Sequence, residues 1–366
     1  MRTRFIALTL VTGLMLAACG KEKQAKQVTH GVKVRVLEGY PQRIVTGLQN
    51  RRMQLSNTQA RFSVARFQQM VNISKTWKPG EVVTVAFNGG STGLRQQIVN
   101  AAKAWTEAAN VSLDFGSTSG PGAFREWSAS DNDYKAEVRI SFDSEGYWSL
   151  VGRESTDKAV AKPSEASMNF EGFDKGLPVD WEATVLHEFG HALGFDHEHQ
   201  IPQSACQIDF RWEDDPGYVP TKDMDGQFAP DDHDRNPGLY TLLGGPPNNW
   251  SRDKVDFNLK ELAFTKDTRL TAFDRLSIMK YYFDSWMFKN GDRSACYGPE
   301  NLTLSDNDKK AASEVYPKGS PLMKAALDEK IRALDTLSRE SSLPEDLRMA
   351  YRSNLHVLAA QKAKLH

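Results

Sequence analysis

Residues 187 to 197 read His187-Glu188-Phe189-Gly190-His191-Ala192-Leu193-Gly194-Phe195-Asp196-His197, a run that leaves the local fold little freedom. His187 and His191 are four residues apart, so a helix sets both imidazoles on one face, within reach of a single metal ion. Gly194 can take the left-handed conformation that ends a helix and turns the chain back. That turn presents His197 as a third ligand. Three protein ligands leave a fourth position open for water, which distinguishes catalytic zinc sites from structural ones. Glu188, beside the first ligand, is placed to act as a base on that water rather than to bind the metal. A helix end that carries three histidines by chance is the competing reading. At ordinary residue frequencies a chance match to all five fixed positions is roughly one in 10⁵ for a chain of this size, so that reading is set aside.

A second segment, Phe273-Asp274-Arg275-Leu276-Ser277-Ile278-Met279-Lys280-Tyr281, follows well downstream. Its S-I-M-x-Y run resembles the Met-turn of metzincin peptidases, in which the methionine forms the apolar floor beneath the metal. Alone, Met279 reads as an ordinary core methionine. Within the metzincins the chain is most similar to the astacins, whose zinc motif continues as H-E-x-x-H-x-x-G-F-x-H-E; Phe195 and Glu198 match the added positions. The resemblance implies that Tyr281 is the movable tyrosine that hydrogen-bonds the transition state. Ile201, Pro202 and Gln203 stand where the astacins carry R-x-D, so subsite preferences do not transfer. The resemblance spans about residues 77–317. It implies an α+β metzincin fold, a twisted mixed sheet with a backing helix and an active-site helix, one catalytic Zn²⁺, and a metalloendopeptidase acting on proteins or peptides.

The N-terminus bears on location. Arg2 and Arg4 precede an apolar stretch from Phe5 to Leu16, too short to span a membrane and typical of a signal peptide. Leu16-Ala17-Ala18-Cys19 resembles a bacterial lipobox, which implies cleavage after residue 18 and a lipid on Cys19. Gly20 in place of Asp favours the outer membrane. An ordinary signal peptide is the alternative. With Cys19 so assigned, Cys206 and Cys296 remain, and an exported protein sits in an oxidising compartment. A disulfide between them would close a loop of about 90 residues; two buried thiols are the alternative.

Residues 19–76 are rich in Lys and Arg, with Glu22 and Glu38 as their only acids. They read as a basic tether or a pro-like region. No Asp or Cys follows residue 19 there to occupy a zinc site, so any latency would have to work by steric cover. Val32 to Leu37 alternates as a strand does. The catalytic domain, 77–317, reads as strand Val82–Phe87, a helix through Leu94, Ile98 and Trp105, strand Val111–Phe115, an alternating strand Glu137–Phe142, then Tyr147–Gly152, and a short edge strand Ser167–Phe170 ahead of the zinc helix. An exposed edge strand there would take up peptide by strand addition.

The insert between His197 and the Met-turn holds two acidic clusters, Asp223–Asp225 and Asp231–Asp234. Calcium is conceivable for either, but their spacing fits no standard loop and suits solvated turns better. His199 and His233 read as surface residues. Ser305 is placed to cap a helix running to Tyr316. Residues 318–366 form a helical hairpin, Leu327, Ile331 and Leu334 facing Leu347, Tyr351, Leu355 and Leu358, with Ser342–Glu345 as a capping box. It either docks on the catalytic domain or binds a partner.

The net charge of −1 points away from nucleic acid, and oligomeric state is not legible. Besides the peptidase, a zinc-containing but proteolytically silent envelope-binding lipoprotein and a protein with purely structural zinc fit the composition.

Overall fold

A computed structural model describes residues 39–58, 63–116, 124–201, 204–262 and 272–363. The lipobox with Cys19 and the Val32–Leu37 stretch lie outside the described residues. What is described is a mixed α+β architecture. Its sheet runs β2 (Val111–Asp114), β1 (Glu81–Phe87), β3 (Val138–Ser141), β5 (Met168–Phe170), β4 (Tyr147–Ser149), all parallel except β4 against β5.

The helices in chain order are α1 (Gln42–Ser56), α2 (Val64–Lys75), α3 (Thr92–Ala108), α4 (Trp181–Ala192), α5 (Cys206–Asp209), α6 (Leu239–Gly244), α7 (Arg252–Leu259), α8 (Asp306–Val315), α9 (Ser320–Ser338) and α10 (Glu345–Ala363). Backing helix α3 and active-site helix α4 share one apolar core with β1 and β3, built around Val83, Val85, Phe87, Ile98, Trp105, Ile140, Val185 and Phe189.

Two strand expectations change. β5 is internal, not an edge, because β4 folds back antiparallel and pairs with it, Trp148 opposite Asn169. β3 alternates in sequence yet all four of its residues are buried. Arg139 tolerates burial because its guanidinium donates to the carbonyls of Glu165, Ala136, Glu137 and Ser155.

The region read as a tether is helical over α1 and α2, and both helices are docked. Ile44, Val45 and Leu48 of α1 pack with Trp148, Leu150 and Val160. Phe67, Met70 and Val71 of α2 join Leu327, Leu334, Leu337, Tyr351 and Leu358 of the hairpin α9–α10 in a separate small core. Lys330 Nζ in α9 donates to the carbonyls of Ile73 and Thr76 at 2.5 and 2.6 Å, satisfying the end of α2. The hairpin therefore docks within this chain. Ser342 does not cap α10; its hydroxyl and N–H both donate to Glu340 Oε1. Ser305 does cap α8, in a capping box with Asp308.

Cys206 and Cys296 are bridged, 90 residues apart, and both are fully buried. The bridge lies beside the pairing of Phe210 with Phe288, whose rings stack at 5.4 Å. It joins the insert after the third histidine to the chain after the Met-turn. Replacing both cysteines by alanine is expected to cost about 2–4 kcal/mol of stability; a denaturant midpoint unchanged from wild type would contradict this.

Candidate metal centre

Helix α4 carries His187, Glu188 and His191, and its C-terminal end is closed by a Schellman motif. The Phe195 N–H donates to the Gly190 carbonyl at 3.1 Å, and the Gly194 N–H to the His191 carbonyl at 2.7 Å. Gly194 takes φ +98°, a conformation that a side chain would oppose. Carbonyls left over at this end meet donors from elsewhere: Trp77 Nε1 donates to Ala192 at 2.7 Å, and the Tyr316 hydroxyl to Leu193. Trp105 stacks on Phe195 at 5.2 Å and its indole N–H donates to the Leu186 carbonyl. The turn that delivers His197 is thus held from three sides.

The three imidazoles converge. His191 Nε2 lies 3.2 Å from His187 Nε2 and 3.0 Å from His197 Nε2. Each Nδ1 faces an oxygen: His187 the Ile278 carbonyl at 2.6 Å, His191 the Phe195 carbonyl at 2.6 Å, and His197 the Gln200 Oε1 at 2.9 Å. Carbonyl oxygens only accept, so each Nδ1 carries the proton and each Nε2 presents a lone pair. Three lone pairs facing one point at these separations repel one another unless a cation sits among them. The donor set, three neutral imidazoles with fixed tautomers, fits Zn²⁺. Among the described residues, these three form the one His/Cys/Asp/Glu cluster compact enough to hold a metal. Glu188, next to His187, is 1% exposed.

The Met-turn supports this cluster through its backbone. The Ile278 carbonyl holds His187, and the Met279 carbonyl accepts the Glu198 N–H at 3.0 Å, just beyond the third histidine. The turn is itself anchored by Asp308 at the start of α8, which accepts from Ser277 Oγ at 2.6 Å and from the Ile278 N–H at 2.8 Å. Tyr281 is buried, its ring 4.4 Å from that of His197 and 5.7 Å from that of His187.

Every residue named from the sequence for this site, His187, Glu188, His191, Gly194, His197, Met279 and Tyr281, therefore lies in or against one cluster. The sequence does not mark Gln200, Asp308 or Gly190, because what each does depends on a partner distant in sequence: α7 for Gln200, the Met-turn for Asp308, and Met279 with Trp105 for Gly190. Gly190 is visible only as an unspecified position of the motif, yet a Cβ there would collide with Met279 Sδ and come within 2.9 Å of Trp105.

His199 is a correction. It is 1% exposed, not a surface residue, because α7 covers it: its Nε2 lies 3.1 Å from the Asn258 carbonyl and its ring 4.5 Å from that of Tyr281. Burial holds it well below the usual imidazole range. Burial likewise pushes Glu198 up to about 7 and Lys280 down to about 8. His233 is exposed. The acidic clusters close turns. Asp223 accepts from the N–H groups of Asp225 and Gln227, and Asp231 from those of Val219, His233 and Arg235.

No protein-family model and no curated protein matches the chain. Among solved structures, the chain is similar to myroilysin, with 29% identity, a TM-score of 0.49 and coverage of 67% of this chain and 97% of that one. It is also similar to high choriolytic enzyme 1, a hatching enzyme zinc-protease from the medaka fish Oryzias latipes, with 17% identity, a TM-score of 0.37 and coverage of 66% and 94%.

Gly190→Ala raises helix propensity by about 1 kcal/mol in isolation. Here it is expected to destabilise the fold by about 1–3 kcal/mol through overpacking against Met279 and Trp105. A thermal midpoint at or above that of wild type would show that the contact yields without cost.

Proposed function

We propose that this protein is a zinc-dependent metalloendopeptidase. The observation that carries the reading is the convergence of three tautomer-fixed Nε2 lone pairs, with a buried carboxylate next to the first of them. When bound, zinc would polarise a peptide carbonyl and lower the pKa of water toward neutrality. Glu188 takes the proton of the attacking water and passes it to the departing amine. Tyr281, packed against the rings of His187 and His197, donates a hydrogen bond to the developing oxyanion, worth up to about 3–4 kcal/mol. On the lipobox reading the enzyme acts at the bacterial envelope, tethered through Cys19. The silent-lipoprotein alternative gives the buried Glu188 no role.

Glu188→Gln is expected to keep zinc while kcat/KM falls by at least about 10³-fold on a peptide library. Activity within tenfold of wild type would reject the assignment. Tyr281→Phe is expected to lower kcat more than it raises KM. Removing the metal with a chelator should abolish hydrolysis and leave the circular dichroism intact; cooperative unfolding would instead favour structural zinc.

A second observation supports steric cover of the cleft. β4 is the outer strand at one end of the sheet, the edge to which an extended peptide would add. Its even-numbered residues face β5, so the carbonyls of Tyr147 and Ser149 face outward. Both are taken: the Gly39 N–H donates to Tyr147 at 3.3 Å and the Tyr40 hydroxyl to Ser149 at 2.8 Å. The segment leading into α1 thereby occupies the hydrogen-bonding edge that substrate needs. Tyr40→Ala should raise kcat/KM several-fold, chiefly by lowering KM; unchanged kinetics would dismiss the cover.

A further inference from the structure

Of the three histidines, His187 and His191 have Nδ1 held by backbone carbonyls of the Met-turn and of the helix-ending turn. His197 is held by a side chain, Gln200, which is 4% exposed. An amide side chain can be turned either way, so something must decide which end meets His197. The end of α7 decides it. A helix leaves its last carbonyls without intrahelical partners, and Gln200 Nε2 donates to the Phe257 carbonyl at 3.1 Å and the Lys260 carbonyl at 2.9 Å. Both amide hydrogens are spent there. Reversing the amide would set its oxygen against two carbonyl oxygens and its NH₂ against the His197 N–H.

The register is fixed from two further sides. The Leu262 N–H donates to the Gln200 carbonyl at 2.9 Å, and His199 Nε2 meets the Asn258 carbonyl one residue along the same helix end.

We propose that Gln200 is a positioning residue for the metal centre: it fixes the tautomer and direction of His197, and it makes both depend on how the C-terminal end of α7 is seated. The insert between the third histidine and the Met-turn is on this account part of the site's scaffold, a clamp acting on one ligand of three. The inference rests on the reading of the three histidines as a zinc site. Partners that orient ligating imidazoles are worth about 10–100-fold in metal affinity, and that is the range expected here.

The test uses the full chain, with zinc affinity measured by chelator competition and geometry read from the visible absorption of the Co²⁺-loaded protein. Gln200→Met keeps the volume and removes both arms of the bridge. It is expected to weaken zinc binding about 10–100-fold and to shift the cobalt bands. Gln200→Glu keeps an acceptor for His197 but cannot donate to α7; it should hold zinc affinity more closely while amide exchange in α7 accelerates.

Val255→Ala acts indirectly, because Val255 is fully buried on α7 and is not among the groups that the Gln200 side chain bonds, which are His197 and the Phe257 and Lys260 carbonyls. It should weaken zinc binding a few-fold in the wild-type background and add nothing in the Gln200→Met background. Wild-type affinity and cobalt bands in Gln200→Met would overturn the proposal. So would an equal Val255→Ala effect in both backgrounds. Should Gln200→Met fail to fold, Val255→Ala alone decides, and unchanged cobalt bands in it overturn the proposal. Failure of the wild-type chain to bind Zn²⁺ or Co²⁺ at all would instead remove the zinc reading beneath it.

Discussion

Lone pairs on neutral imidazoles repel, and here three of them are aimed at one point from two different stretches of backbone. Holding them there requires that each ring be fixed at its far nitrogen, and the surrounding structure supplies the three oxygens that do so. One comes from the Met-turn, one from the Schellman turn at Gly194, one from Gln200. Each of these acceptors is in turn anchored by something remote in sequence. Asp308 holds the Met-turn, Trp77 and Tyr316 close the end of α4, and the carbonyls of α7 orient Gln200. The arrangement is a general feature of metal sites, in which the outer partners set tautomer and direction. What is particular here is how widely those partners are drawn from the chain.

Close packing enforces the same geometry from below. Met279 lies so near Gly190 that the zinc helix has no room for a side chain on that face. Trp105 fills the remaining side, stacking on Phe195 and bonding to Leu186. An interior packed this densely transmits small displacements rather than absorbing them. The backing helix and the Met-turn thereby locate α4 together.

The N-terminal region and the hairpin form a second layer around this core. The Gly39–Tyr40 segment bonds to the outer edge of β4 and α1 packs with Trp148, Leu150 and Val160, whereas α2 pairs with the hairpin and is fastened by Lys330. Arg51 in α1 binds both Asp157 and Asp346, at 2.7 Å each, so α1, the turn that ends at Asp157 and the hairpin share one buried cation. Removing Asp157 would leave the buried Arg51 guanidinium with only the largely exposed Asp346 as its charge partner, which couples these layers.

The chemistry was legible in the sequence because metal ligation depends on residue type at short, fixed spacing. His187, Glu188, His191, Gly194 and His197 lie within eleven residues; helical periodicity relates the first three, and the helix-ending turn at Gly194 brings in the fifth. The amphipathic elements were legible for the same reason: β1, α3 and α8 follow from local pattern and capping. Tertiary structure decided what depends on long-range contacts. Sequence could not show that β4 rather than β5 forms the edge, since strand order reflects pairing between segments far apart in the chain. Nor could it show that His199 is buried beneath α7, or that Gln200 faces a ligand, because an isolated histidine or glutamine reads the same inside or outside. Burial and hydrogen-bond direction are set by what folds over a residue, and no local pattern records that.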